Sequence, residues 1–243
     1  MFRRDSSSLS DGTMRERLER IVAHVEAAAH RSGRAASDIT LIGISKTIAA
    51  GRVGEAITAG LADLGENRVQ EAAVKIPELE RILGPAASRV TWHLVGHLQS
   101  NKTRRAVELF SVIHSIDTFA LAERISRYAT ELGRPMRVLI QVDLAGEPTK
   151  HGILPDGLAD LASRVGVLPG MTLVGLMALP PLFENPEDSR PYFRRLRAIR
   201  DQLIAEKIDL PELSMGMSND FEVAIEEGAT MVRVARALFG ERH

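Results

Sequence analysis

The chain has 243 residues, 44% of them hydrophobic and 26% charged, the profile of a soluble globular protein long enough for one large core. Its 31 basic and 32 acidic residues nearly cancel, so composition gives no electrostatic case for a nucleic-acid or membrane surface. With no cysteine, disulfides, Cys-ligated zinc and thiol catalysis are excluded together.

Residues 1–12, charged and then Ser-rich, read as a flexible N-terminus without the apolar stretch of a signal peptide. No apolar run approaches the length that spans a bilayer, so a cytoplasmic protein is expected. Leu18, Ile21, Val22 and Val25 then recur at helical spacing, predicting an amphipathic N-terminal helix. Beyond it, short apolar runs alternate with helical stretches. Runs at 39–45, 62–65, 91–96, 111–116, 136–143, 171–177, 212–216 and 231–235 make eight candidate strands. Predicted helices include 106–110, 118–132 and 191–206, the last with Tyr192, Leu196, Ile199 and Leu203 on one stripe. Strands that are apolar throughout suit burial on both faces, as parallel strands with helical crossovers require. Eight such units predict an α/β fold, a single (β/α)8 barrel over residues 13–243, with an open doubly wound sheet as the alternative.

A barrel builds its site in the loops after the C-terminal strand ends. Polar residues gather there: Ser45-Lys46-Thr47, Glu66-Asn67-Arg68, His93 and His97, His114 to Asp117, Gln141 and Asp143, Ser214 to Ser218, and Arg233. The loop at 179–191, with four of the eleven prolines, falls on the same face.

Lys46 ends an apolar strand, where desolvation lowers an amine's pKa and supplies the neutral form that Schiff-base chemistry needs. Without context, a strand-end lysine more often reaches solvent. A P-loop is excluded, because Ser45 stands where its glycine should be. The segment from Ser214 to Ser218 reads as an anion cradle or as an ordinary helix start. Ser218 or Asn219 would cap the following helix, with Glu222 completing a capping box. His93 and His97 are spaced across a strand end rather than along a helix, so no metal site is expected from that pair. Arginines 190, 194, 195, 197 and 200 are interrupted by Glu187, Asp188 and Asp201, which favours a solvated helix face over an RNA surface.

Seven ordered segments, I-S-K-T (44–47), G-E-N-R-V-Q-E (65–71), W-H-L-V-G-H-L-Q-S-N-K (92–102), H-S-I-D (114–117), Q-V-D with G-E-P-T-K-H-G (141–152), G-L-M (175–177) and L-S-M-G-M-S-N-D-F (213–221), resemble the pyridoxal phosphate homeostasis proteins. That family is related to the N-terminal barrel of alanine racemase, fold type III among pyridoxal phosphate proteins. The resemblance implies a cytoplasmic protein of vitamin B6 homeostasis that holds pyridoxal 5'-phosphate as an internal aldimine without established turnover. It implies Lys46 as the Schiff-base residue and Asn67 beside the ring. His93 falls in the strand-three motif, Met215 and Ser218 in the phosphate loop, and Arg233 opposite the pyridine nitrogen. An arginine there cannot hand the ring a proton, which weakens it as an electron sink.

Racemases of this type also use a tyrosine from a further domain, whereas Tyr128 and Tyr192 fall in predicted outer helices. The family pattern of glycine then Ser or Thr after strand eight is here Ala235-Arg236, which alters one wall of the phosphate site. Expected partners are the cofactor and apo-enzymes that receive it, with no nucleic acid, no membrane and a monomeric chain. A fold type III enzyme using His93 or Asp143 as second base, and an RNA- or partner-binding protein, are the rival readings.

Overall fold

The computed structural model describes residues 12–146 and 151–240; the remainder of the N-terminal segment and part of the G-E-P-T-K-H-G motif lie outside them. Helix α1 (Met14–Arg31) begins at Thr13, whose hydroxyl accepts the Glu16 N–H while the Glu16 carboxylate accepts the Thr13 N–H. It buries Met14, Leu18, Ile21, Val25, Ala28 and Ala29, whereas Val22 turns outward.

Eight parallel strands follow: β1 (Thr40–Ile44), β2 (Asp63–Glu66), β3 (Thr91–Leu94), β4 (Val112–Ile116), β5 (Met136–Val142), β6 (Met171–Ala178), β7 (Glu212–Ser214) and β8 (Met231–Val234). They pair in chain order and close through β1 against β8, with Ile42 opposite Arg233. The fold is a (β/α)8 barrel. The intervening helices are α2 (Ala50–Ala59), α3 (Val69–Leu83), α4 (Thr103–Leu109), α5 (Phe119–Glu131), α6 (Leu158–Gly166), α7 (Arg190–Ala205), α8 (Phe221–Glu226) and α9 (Arg236–Phe239). On α7 the buried residues are Phe193, Leu196 and Leu203, with Tyr192 and Ile199 only partly covered, so the apolar stripe is rotated toward Phe193.

Period-two alternation divides each strand between two cores. Leu64, Trp92, Leu94, Ile113, Ile140, Leu176, Leu213 and Val232 pack outward against the helices. Ile42, Ile44, Val95, Val112, Leu139, Val174, Met177 and Met231 fill the barrel interior. Among the described residues the four-residue α9 follows β8, and α1 packs against α2, α8 and α9 on the β8–β1 side of the barrel. Arg31 pairs with Glu222 and Glu226 on α8, and His24 with Glu222, tying that helix down. Among the described residues no helix is long and apolar enough to cross a membrane.

Candidate functional site at the C-terminal mouth

Alternation along β1 sends Ile42 and Ile44 into the barrel and Ser45 outward, which leaves Lys46 on the inward side at the mouth. Lys46 is half-buried. The next residue, Thr47, has φ +65°, a left-handed conformation that costs a β-branched residue energy and persists only when its surroundings enforce it. Here α3 enforces it: the Thr47 N–H donates to Glu71 Oε1 at 2.5 Å. Lys75, one helical turn on, is buried and donates to Glu71 at 2.9 Å, Glu66 at 2.5 Å and the Ser45 carbonyl at 2.6 Å. Ser45 Oγ also donates to Glu66, at 2.7 Å.

Glu66 was expected at the mouth. It lies instead on the outer face of β2, fully buried beneath α3, because strand parity places Gly65 and Asn67 inward and Glu66 outward. Burial raises its pKa against the lowering pull of Lys75 and Ser45. Glu71 is also pulled upward by burial, but Lys75 and the Thr47 N–H outweigh this and its pKa is lowered. Lys75 gave no signal in sequence, being one more lysine on a charged helix.

Arg233 is buried inside the barrel, donating through Nη1 to Ser214 Oγ at 2.5 Å and through Nη2 to the Ala178 carbonyl at 2.9 Å. Ala178 is the last residue of β6, so the guanidinium stands at the level of the strand C-termini. Burial lowers its pKa to about 10, against a raising effect of Asp220, and it stays cationic at neutral pH.

A line of polar side chains continues from Arg233 across the interior. Ser214 Oγ is 2.9 Å from His114 Nδ1, His114 Nε2 is 2.9 Å from His93 Nδ1, and His93 Nε2 is 2.9 Å from Asp63 Oδ1. His93 is therefore not a mouth residue: both its ring nitrogens are taken, and it bears on the site only through His114, Ser214 and Arg233. His114, expected among the mouth residues, lies inside the barrel as well. Asp63 gave no signal in sequence, since a carboxylate at the start of a strand gives no hint of pointing into a barrel.

Asn67 is half-buried, and a Cβ on Gly96 would stand 2.2 Å from its carbonyl oxygen, so the loops after β2 and β3 are in backbone contact. After β7, Gly216 has φ +91° and packs against Phe221 and Ala224. The capping expected of Ser218 and Asn219 is not observed. Asp220 is the N-cap residue, and its carboxylate accepts from the Met217 N–H at 2.6 Å and Ser189 Oγ at 2.8 Å. Asn219 Nδ2 donates to the Phe183 carbonyl at 3.1 Å, and Glu222 turns to His24 and Arg31. Ser218 Oγ is released from capping and accepts the Ala235 N–H at 3.0 Å, joining the loops after β7 and β8.

Ala235 has φ −117°, so alanine in place of glycine introduces no backbone strain. Arg236 is exposed at the start of α9. The Met215 side chain is fully buried in the outer core, leaving its main chain to border the loop.

The two rival second bases are occupied. Asp143 Oδ1 accepts from the Ala145 and Gly146 N–H groups, and His93 is bonded on both sides. Tyr128 lies under Arg104 and Arg127, and Tyr192 packs on Phe183, both on outer helices. Four of the five α7 arginines are matched by carboxylates: Arg190 with Glu187, Glu226 and Glu227, Arg194 and Arg197 with Glu227, and Arg200 with Asp201, while Arg195 donates to the Leu144 carbonyl.

An inward lysine after β1, a buried arginine on β8 and a joined pair of loops after β7 and β8 define a (β/α)8 barrel with a ligand site at its C-terminal mouth. Residues 17–243 match the family model of the alanine racemase N-terminal domain. The chain is 44% identical over 228 residues to the pyridoxal phosphate homeostasis protein of Aquifex aeolicus, covering 93% of this chain and 97% of that one. It is 41% identical over 230 residues to the protein of that name from Pseudomonas aeruginosa, covering 95% and 96%. Among solved structures it is similar to PipY of Synechococcus elongatus with pyridoxal phosphate bound, at TM-score 0.77 and 40% identity, covering 89% of this chain and 100% of that one. The chain belongs to the pyridoxal phosphate homeostasis proteins, within the alanine racemase N-terminal domain family.

Proposed function

We propose that this protein binds pyridoxal 5'-phosphate at the barrel mouth and serves its storage and transfer rather than its turnover. The observation that carries the reading is the placement of Lys46, the Ser218–Ala235 loop pair and Arg233 on adjoining strands β1, β7 and β8 at one end of the barrel. Lys46 is the amine that holds the aldehyde. Asn67 borders the ring, and Ser218 with the main chain around Met215, Ala235 and Arg236 receives the phosphate. Arg233 faces the ring nitrogen. When bound, the cofactor supplies an aldehyde and an electron-withdrawing pyridine ring.

The chain's own contribution is to hold and orient. The strained Thr47 turn, fixed by Glu71, restricts where the Lys46 amine can point. Arg233, cationic at neutral pH, gives a nearby ring nitrogen a donor but not a proton, which disfavours carbanion chemistry. Neither Tyr128 nor Tyr192 supports a second base. The expected setting is the cytoplasm, as a monomer handing the cofactor to apo-enzymes.

Purified protein is expected to be yellow, and borohydride to lock the cofactor onto the peptide containing Lys46. A colourless protein that gains no absorbance on addition of pyridoxal phosphate overturns the reading. So does a Lys46→Ala variant that forms the same borohydride-stable adduct.

A further inference from the structure

The arc of the mouth opposite the residues assigned above carries a separate group of ligands. His97 follows β3, Asp117 follows β4, and His151 stands where the chain returns after β5. Each offers one donor atom, and these atoms all lie within 4.8 Å of one another. His97 Nδ1 is 3.5 Å from Asp117 Oδ2. The rings of His97 and His151 stack at 3.6 Å with 9° between their planes. Donors around a four-coordinate ion with bonds of about 2.0–2.2 Å stand roughly 3.3–3.6 Å apart. The His97–Asp117 spacing is already that of a coordination sphere, and the second imidazole is near enough that rotating one ring out of the stack turns both lone pairs toward one ion.

The main chain beneath each ligand is fixed. Gly96 has no room for a Cβ against Asn67, which pins His97. Gly152, at φ +132°, is hemmed in by Asp143 and Val142, and the His151 carbonyl accepts from Gln141 Nε2 at 2.6 Å. Paired bonds from Asp143 N to the Ile153 carbonyl and from Ile153 N to the Gln141 carbonyl, both 2.9 Å, clamp this return to β5. Asp117 follows the fully buried Ile116 and precedes Thr118, which caps α5. The side chains are 35% exposed at His97 and 14% at Asp117, so coordination positions stay open to solvent or to an oxygen ligand.

We propose that His97, Asp117 and His151 form a binding site for a divalent transition-metal ion at the barrel mouth. Two imidazoles and one carboxylate suit zinc, cobalt, nickel, manganese or ferrous iron better than calcium or magnesium, which take oxygen ligands. His93 takes no part, because its nitrogens are committed inside the barrel. The site shares no residue with the cofactor assignment, so the two stand or fall separately.

The test is a Co2+ and Zn2+ titration of the chelator-treated, desalted protein in a non-coordinating buffer, followed by cobalt d–d absorbance and by calorimetry. One ion per chain is expected. His151→Ala and Asp117→Asn should each weaken binding about 10- to 100-fold or more, while His24→Ala leaves it unchanged. Circular dichroism monitors folding, and cofactor content is measured on every variant. Absence of saturable binding overturns the proposal, as does affinity retained by folded His151→Ala and Asp117→Asn proteins.

Discussion

His93 Nδ1 and His114 Nε2 lie 2.9 Å apart in the barrel interior, where this fold ordinarily packs branched apolar side chains. With both rings neutral, one set of donors satisfies every bond of the chain. Arg233 can only donate, so Ser214 accepts from it and donates to His114 Nδ1; His114 Nε2–H then donates to His93 Nδ1, and His93 Nε2–H to Asp63. Each link fixes the next tautomer, and the carboxylate of Asp63 terminates the series.

Acid should weaken the fold through this chain. His114 is held well below its usual 6.5, by burial first and by His93, Arg233 and Arg137 in addition. The unfolded ring takes up a proton near pH 6.5 while the folded one does not, so the unfolded state binds more protons below that pH. Stability is therefore full above the unfolded value and falls as pH drops below it, by up to about 1.4 kcal/mol per pH unit. Urea midpoints measured from about pH 7.5 to 5.5 should show the slope, and His114→Gln should remove one proton's worth of it.

The Glu66–Lys75 pair gives an asymmetric mutational result. Lys75→Met strands a buried carboxylate and should cost about 3–5 kcal/mol. Adding Glu66→Gln to it should recover much of the loss, because the uncompensated charge is gone. A double-mutant cycle in urea checks this, and equal costs for the single and double variants would refute it.

Gly96→Ala should act on the site from outside it. Its Cβ would stand 2.2 Å from the Asn67 carbonyl, so one of the two loops has to move. The expected cost is about 1–3 kcal/mol, read as a lower Tm. Cofactor affinity should fall with it, measured by absorbance titration.

Ser218→Ala removes the acceptor of the Ala235 N–H and a candidate phosphate donor, and should weaken cofactor binding about 5- to 10-fold. Arg236→Ala tests the other wall. If the exposed guanidinium reaches the phosphate, affinity falls by a similar factor, and the dependence on salt concentration weakens.

All eight strands were legible as apolar runs, because strands buried on both faces cannot hide in sequence. Lys46 and Arg233 were legible as polar residues at strand ends. The direction of the other polar side chains was not. Glu66 and Asn67 are neighbours in sequence yet point to opposite sides of β2, and one residue of parity separates a buried ion pair from the mouth. His93 and His97 are four residues apart, yet β3 turns the first inward while the second stacks on His151. The helix after Ser218 starts one residue later than its sequence suggests, at Asp220, whose carboxylate turns back to the Met217 N–H instead of capping the helix. The other carboxylate oxygen of Asp220 is taken by Ser189, 31 residues away in sequence, a contact no local pattern reveals.

The packing of α1 against helices from both ends of the chain has a consequence for synthesis on the ribosome. The first helix has α2 as an early packing partner but meets α8 and α9 only late, and β1 finds its second neighbour only in β8. A nascent chain that has emerged as far as β7 therefore carries an open sheet edge at β1 and an apolar face on α1 that only α2 covers in part. Closing the sheet joins segments nearly the whole chain apart, a slow class of contact. Until the last strand emerges, the earliest-made part of the protein is the part most exposed to aggregation.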